Sequence, residues 1–94
     1  MNKGKIQILI ENKIKKNFPD SFFELVNDSK KHSKHKQSPP GLETHFILTL
    51  KSNKFSQLSR LERQKYLIEI LGNEIIDKIH SISFKLISPS EESN

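Results

Sequence analysis

Apolar residues change their spacing along this 94-residue chain, and that change limits what it can fold into. Near the start, Ile6, Ile10, Ile14 and Phe18 recur every fourth position with Leu9 beside them, which draws one stripe down a helix. From Thr44 to Leu50 the period drops to two. Phe46, Leu48 and Leu50 fall on one face of a strand, and His45, Ile47 and Thr49 on the other. Ile79 to Ile87 alternates again, with His80, Ile82, Phe84 and Leu86 on one side and Ile79, Ser81, Ser83, Lys85 and Ile87 on the other. Neither period suits the other type of element, so the chain predicts an α+β fold.

Punctuation between these segments sets the order. Asn2 is the expected cap of the first helix, Lys13, Lys15 and Lys16 suit the negative end of its dipole, and Pro19 stops it. Phe22 to Asn27 is short, aromatic and branched, and reads as a strand. A polar stretch from Asp28 to Leu42 follows, with four lysines, two histidines and the turn signal Pro39-Pro40-Gly41. Ser59 and Glu62 match a capping box, and the helix they open carries Leu61, Tyr66, Leu67, Ile70 and Leu71 before Gly72 ends it. Asn73 to Lys78 reads as further helical turns. The order is α-β-β-α-α-β: an antiparallel hairpin, then a helical crossover to a third strand, in a three-stranded mixed sheet covered by helices on one face. Residues 1–88 form a single domain, and residues 89–94 read as a flexible C-terminal tail.

Composition excludes several classes of function. Without cysteine, the chain holds no disulfide, no zinc–thiolate site and no thiol nucleophile of its own. No apolar run exceeds three residues, as in Ile8-Leu9-Ile10, against roughly 20 for a membrane span, so no membrane partner is expected. The lack of an export signal places the expected site of action in the cytoplasm, bacterial rather than an organelle matrix. No G-x-S-x-G, P-loop or H-E-x-x-H pattern occurs, and the chain reads as a non-enzyme.

The net charge of +5 comes almost wholly from lysine, since Arg60 and Arg63 are the sole arginines. Lysine is a flexible point charge, better suited to loose phosphate contact than to reading bases. Candidate nucleic-acid contacts are Lys30, Lys31, Lys34 and Lys36 in the loop, with Arg63 and Lys65 on the second helix. An AT-rich coding bias gives the same lysine excess, and a charged loop is most often only solvated. The histidines are the other candidates. His32 and His35 lie three apart in the loop, either solvated or free to ligate. His45 sits on the strand face away from Phe46, and His80 reads as a satisfied histidine at the rim of the core.

Asn27-Asp28-Ser29-Lys30-Lys31-His32 followed by Pro39-Pro40-Gly41-Leu42-Glu43-Thr44-His45-Phe46 resembles the N-E-S-x-x-H and P-x-G-x-E-T-H-F signature of BolA-like proteins. The resemblance runs on through Phe55, Leu58-Ser59, Arg63 and Leu71 to Ile79-His80-Ser81-Ile82, which is similar to the family's V-H-A-L. The family's α-β-β-α-α-β fold, similar to class II KH domains, matches the order read from the periods. Departures are a longer segment, SKHKQS, between His32 and Pro39, Gln57 where a glycine is usual, and Arg63-Gln64-Lys65 in place of R-H-R.

The resemblance implies a partner function: pairing with a monothiol glutaredoxin to share a [2Fe–2S] cluster, in iron–sulfur maturation or iron homeostasis. The partner and glutathione would supply thiolates. This chain would supply His80 and one of His32 or His35, with no cofactor held tightly by the isolated chain, which would be a monomer or a weak homodimer. Lacking cysteine, it can offer imidazole alone, which raises a cluster's potential over an all-thiolate site. The rival implication is transcriptional regulation through nucleic acid. No two glycines have the G-x-x-G spacing of a KH clamp, so any such binding is expected to be weak and non-specific.

Overall fold

The structure, a computed structural model, describes residues 4–29 and 43–92. Helix α1 spans Lys5–Asn17, strand β1 Phe22–Asn27, strand β2 His45–Lys51, helix α2 Arg60–Ile76 and strand β3 Ser81–Ile87. A 3-10 turn, Asn53–Phe55, follows β2, and a final helical turn, α3, spans Pro89–Glu92. The sheet order is β1-β2-β3. β1 and β2 are antiparallel with Phe22 opposite Lys51 and Asn27 opposite Phe46. β2 and β3 are parallel, His45 opposite Ser81 and Lys51 opposite Ile87. The mixed three-stranded sheet with helices on one face is the predicted α+β architecture.

Both periods appear as burial. Ile10 and Ile14 of α1 and Phe18 at its C-cap meet Phe46, Leu48 and Leu50 of the central strand, while Leu67, Leu71 and Ile75 of α2 complete the core. Ile6, the first residue of the predicted stripe, is only partly buried. Phe55, brought in by the 3-10 turn, is fully buried with its ring 5.7 Å from that of Phe18, and Tyr66 meets Phe18 edge-on at 5.8 Å. Ser59 and Glu62 close the predicted capping box at 3.2 and 2.8 Å. Gly72 interrupts α2 at φ 76 and ψ 166, a region open essentially to glycine alone, after which the helix resumes to Ile76.

Four expectations are corrected. The cap of α1 is Gly4, which has no side chain to accept a bond; the carboxylate of Glu43 takes that part instead. β3 starts at Ser81, so His80 precedes the strand rather than opening it. His80 is exposed, not tucked at the core rim, because the Thr44 carbonyl accepts from both His80 N (2.8 Å) and Ser81 N (3.0 Å) and the chain bends there. Finally, residues 89–92 form a helical turn where a tail was expected. Pro89 suits a first helical position, and Glu91 accepts from Ser88 N at 2.8 Å and from Ser88 Oγ at 2.9 Å. Ser88-Pro89-Ser90-Glu91 is a second S-x-x-E, a signal present in the sequence.

Candidate functional site at the start of β2 and β3

The residues that flank positions 30–42 in the chain are anchored on both sides. At the near end Ser29 is only 1% exposed. Its hydroxyl donates to Asn27 Oδ1 at 2.5 Å and accepts from the amides of Thr44 (2.9 Å) and His45 (3.1 Å). Asn27 Oδ1 also accepts from Ser29 N at 3.1 Å, an Asx turn. One serine thus satisfies two amides at the start of β2. The N-x-S of the signature is a structural latch.

At the far end Glu43 reaches α1. Its carboxylate oxygens accept from Ile6 N (3.2 Å) and Gln7 N (2.8 Å), amides that no intrahelical carbonyl can serve. A negative charge there also complements the helix dipole. The approach is so close that a Cβ on Gly4 would collide with the carboxylate. Gly4 and Glu43, 39 positions apart, act as one cap.

Thr44, next to Glu43 in the chain, adjoins a pair of imidazoles. His80 and His45 have ring centroids 4.9 Å apart at an interplanar angle of 37°. Thr44 Oγ1 is 2.9 Å from His45 Nδ1. Because Thr44 O also holds the backbone of His80 and Ser81, one residue sets the positions of both rings. His45, read from the sequence as a surface residue of the sheet, is therefore the neighbour of His80. Parallel pairing brings the starts of β2 and β3 together, the bend at His80 frees its ring from the alternation of the strand, and no local spacing announces the contact. Among the described residues, no group of three or more histidine, aspartate or glutamate side chains is gathered to hold a metal ion, so this chain's described part fits only a minority share of a ligand set.

The other candidates separate. His32, His35, Lys30, Lys31, Lys34 and Lys36 lie outside the described residues. Lys65 is exposed on α2. Arg63 is a correction: its side chain is 7% exposed and committed within the fold. Nε donates to Leu58 O at 2.9 Å, and Nη1 donates to Leu86 O at 3.0 Å and to Glu91 Oε1 at 2.7 Å. The Phe55 ring lies 5.8 Å from its guanidinium carbon. An arginine so placed ties α2 to β3 and α3 and has its guanidinium committed within the fold. The Glu91 carboxyl is lowered from 4.5 to about 2, first by the Ser88 amide, then by Arg63 and the Ser88 hydroxyl.

The family model for BolA-like proteins matches residues 14–91. The chain belongs to the BolA-like family. Among curated relatives, the DNA-binding transcriptional regulator BolA of Haemophilus influenzae is 30% identical over 86 residues, 92% of this chain and 80% of the relative. BolA-like protein 1 of Homo sapiens is 28% identical over 88 residues, 94% of this chain but 61% of that protein. Among solved structures, the BolA domain of SufE1 from Arabidopsis thaliana superposes with a TM-score of 0.80 at 26% identity, covering 96% of this chain and 99% of that one. BolA1 from Mus musculus gives 0.75 at 27% identity, covering 94% and 68%. The BolA-like signature thus has a physical reading in this chain: asparagine and serine latch the hairpin, glutamate caps α1, and threonine aligns two histidines.

Proposed function

We propose that this chain is a non-enzymatic adaptor that pairs with a monothiol glutaredoxin and shares a [2Fe–2S] cluster, in cluster maturation or iron homeostasis. The observation that carries the reading is His80: an exposed imidazole whose backbone is pinned to Thr44 before any partner arrives. When bound, such a cluster supplies one-electron chemistry or is itself handed on. This chain's part is to hold His80 in place, to present His32 or His35 from the segment between Ser29 and Glu43, and to add no thiolate. Glutathione and the glutaredoxin cysteine complete the set. Imidazole must be unprotonated to ligate, so the shared site is acid-labile.

The test mixes the protein with a monothiol glutaredoxin, iron, sulfide and glutathione and records the visible absorption and circular dichroism. His80→Ala is expected to abolish the histidine-ligated spectrum. His32→Ala and His35→Ala are each expected to be partly rescued by the other, and to match the His80 defect when combined. An unaltered spectrum from the triple variant would refute ligation by this chain.

A second reading, DNA binding, is favoured by the name of the Haemophilus influenzae relative. With Arg63 engaged internally, the contacts would fall to Arg60, Lys65 and the loop lysines, giving a steep salt dependence and little sequence preference. Footprinting of a specific site at physiological salt would favour that reading over the adaptor.

A further inference from the structure

β3 is an edge strand, and its outer edge faces a trough rather than open solvent. Ser81 N bonds Thr44 O, and Ile87 O accepts from Ser52 N. These bonds direct the odd-numbered residues of β3 toward β2 and the even-numbered ones outward. Arg63 Nη1, reaching Leu86 O from outside the sheet, agrees with that parity and blunts one end of the edge. The outward N–H and C=O groups of Ile82 and Phe84 remain along the trough. Its walls are β3 and α2. A section of about 450 Å³ runs past Arg60, Lys85 and Phe84, and one of about 150 Å³ continues past Ile68, Ile79 and Ile82 to His80. Gln64 and Phe84 line both sections.

We infer that this trough accepts an extended, acidic segment of a partner protein as a fourth strand beside β3. The inference stands apart from the cluster reading. Three features of the trough specify the occupant. Outward amides and carbonyls at Ile82 and Phe84 repeat at the spacing of a peptide backbone, which a strand can satisfy and a nucleotide chain cannot. Ile82 and Phe84 turn their side chains toward the helices, where Ile68, 41% exposed, extends the apolar floor. Side chains of an added strand alternate between faces, so every second residue should be apolar to meet that floor. The intervening residues would share the open face with Lys85 and end near Arg60, and both cations favour carboxylates. Glu91, the acid at that end, is already held by Arg63. Pairing β3 with a second copy would bring Lys85 toward Lys85, and the aliphatic floor offers little for base stacking.

A fluorescein-labelled heptapeptide of alternating valine and glutamate, titrated into the intact chain, is the direct probe. Saturable binding is expected in the micromolar range, weakened about tenfold or more by Ile68→Arg and by Lys85→Glu. Ile68 and Lys85 are exposed, and circular dichroism and melting verify that both variants fold. Amide exchange should slow at Ile82 and Phe84 when peptide is bound. Failure to saturate at about 1 mM peptide, or binding indifferent to both substitutions, would overturn the inference. Displacement of the peptide by oligothymidylate of higher affinity would reassign the trough to nucleic acid. Self-association that both substitutions abolish would reassign it to a second copy.

Discussion

Removing one oxygen atom should loosen the whole base of the hairpin. In Ser29→Ala the amides of Thr44 and His45 lose their acceptor, and Asn27 Oδ1 loses a donor. Ser29 is 1% exposed, so water cannot replace the hydroxyl without the strands parting. An unsatisfied buried amide costs about 1–3 kcal/mol, and two of them give a loss of roughly 2–4 kcal/mol once partial relaxation is allowed. For a domain of this size, that is a fall of roughly 10–25 °C in melting temperature. Urea denaturation monitored by far-ultraviolet circular dichroism measures the loss, and amide exchange locates it. Thr44 and His45 should lose protection well before Leu48 and Leu50. Asn27→Ala removes the group that orients the hydroxyl, so the double variant should be much less damaged than the two losses added. A Ser29→Ala change under about 0.5 kcal/mol, a value typical of an inconsequential surface site, would refute the latch.

Two further tests concern other side-chain hydrogen bonds of the fold. Gly4→Ala and Glu43→Ala should each cost about 0.5–2 kcal/mol, the usual range for losing a helix cap, and the double variant should cost no more than either alone; additive losses in urea midpoints would show that the two residues do not share one cap. Because the folded Glu91 carboxyl sits at about 2 against an ordinary 4.5, its contribution to stability should be complete above pH 4.5 and vanish as the pH falls toward 2. Glu91→Gln should therefore be less stable than the parent at pH 7 and indistinguishable from it near pH 2; a gap unchanged between those conditions would contradict the assignment.

Local rules were enough for much of this fold. The stripe of Ile10, Ile14 and Phe18 and the alternation of Phe46, Leu48 and Leu50 need only the geometry of a helix and a strand, because burial follows backbone period. The capping box at Ser59 and the break at Gly72 are likewise matters of a few neighbouring residues. The signature from Asn27 to Phe46 was legible as a pattern, although its meaning was not. Tertiary structure decided what joins distant positions. His45 meets His80 because the parallel pairing sets His45 opposite Ser81 while the chain bends at His80, just before β3, and so leaves the alternation of the strand. Glu43 caps α1 because two segments with no local relation pack together with no Cβ at Gly4. Arg63, a charged residue on an otherwise exposed helix turn, is buried because Leu86 of β3 and Glu91 of α3 converge on it, beside Leu58 just ahead of α2. Each is a long-range hydrogen bond or contact, and the free energy that selects it exists only after the chain has closed on itself.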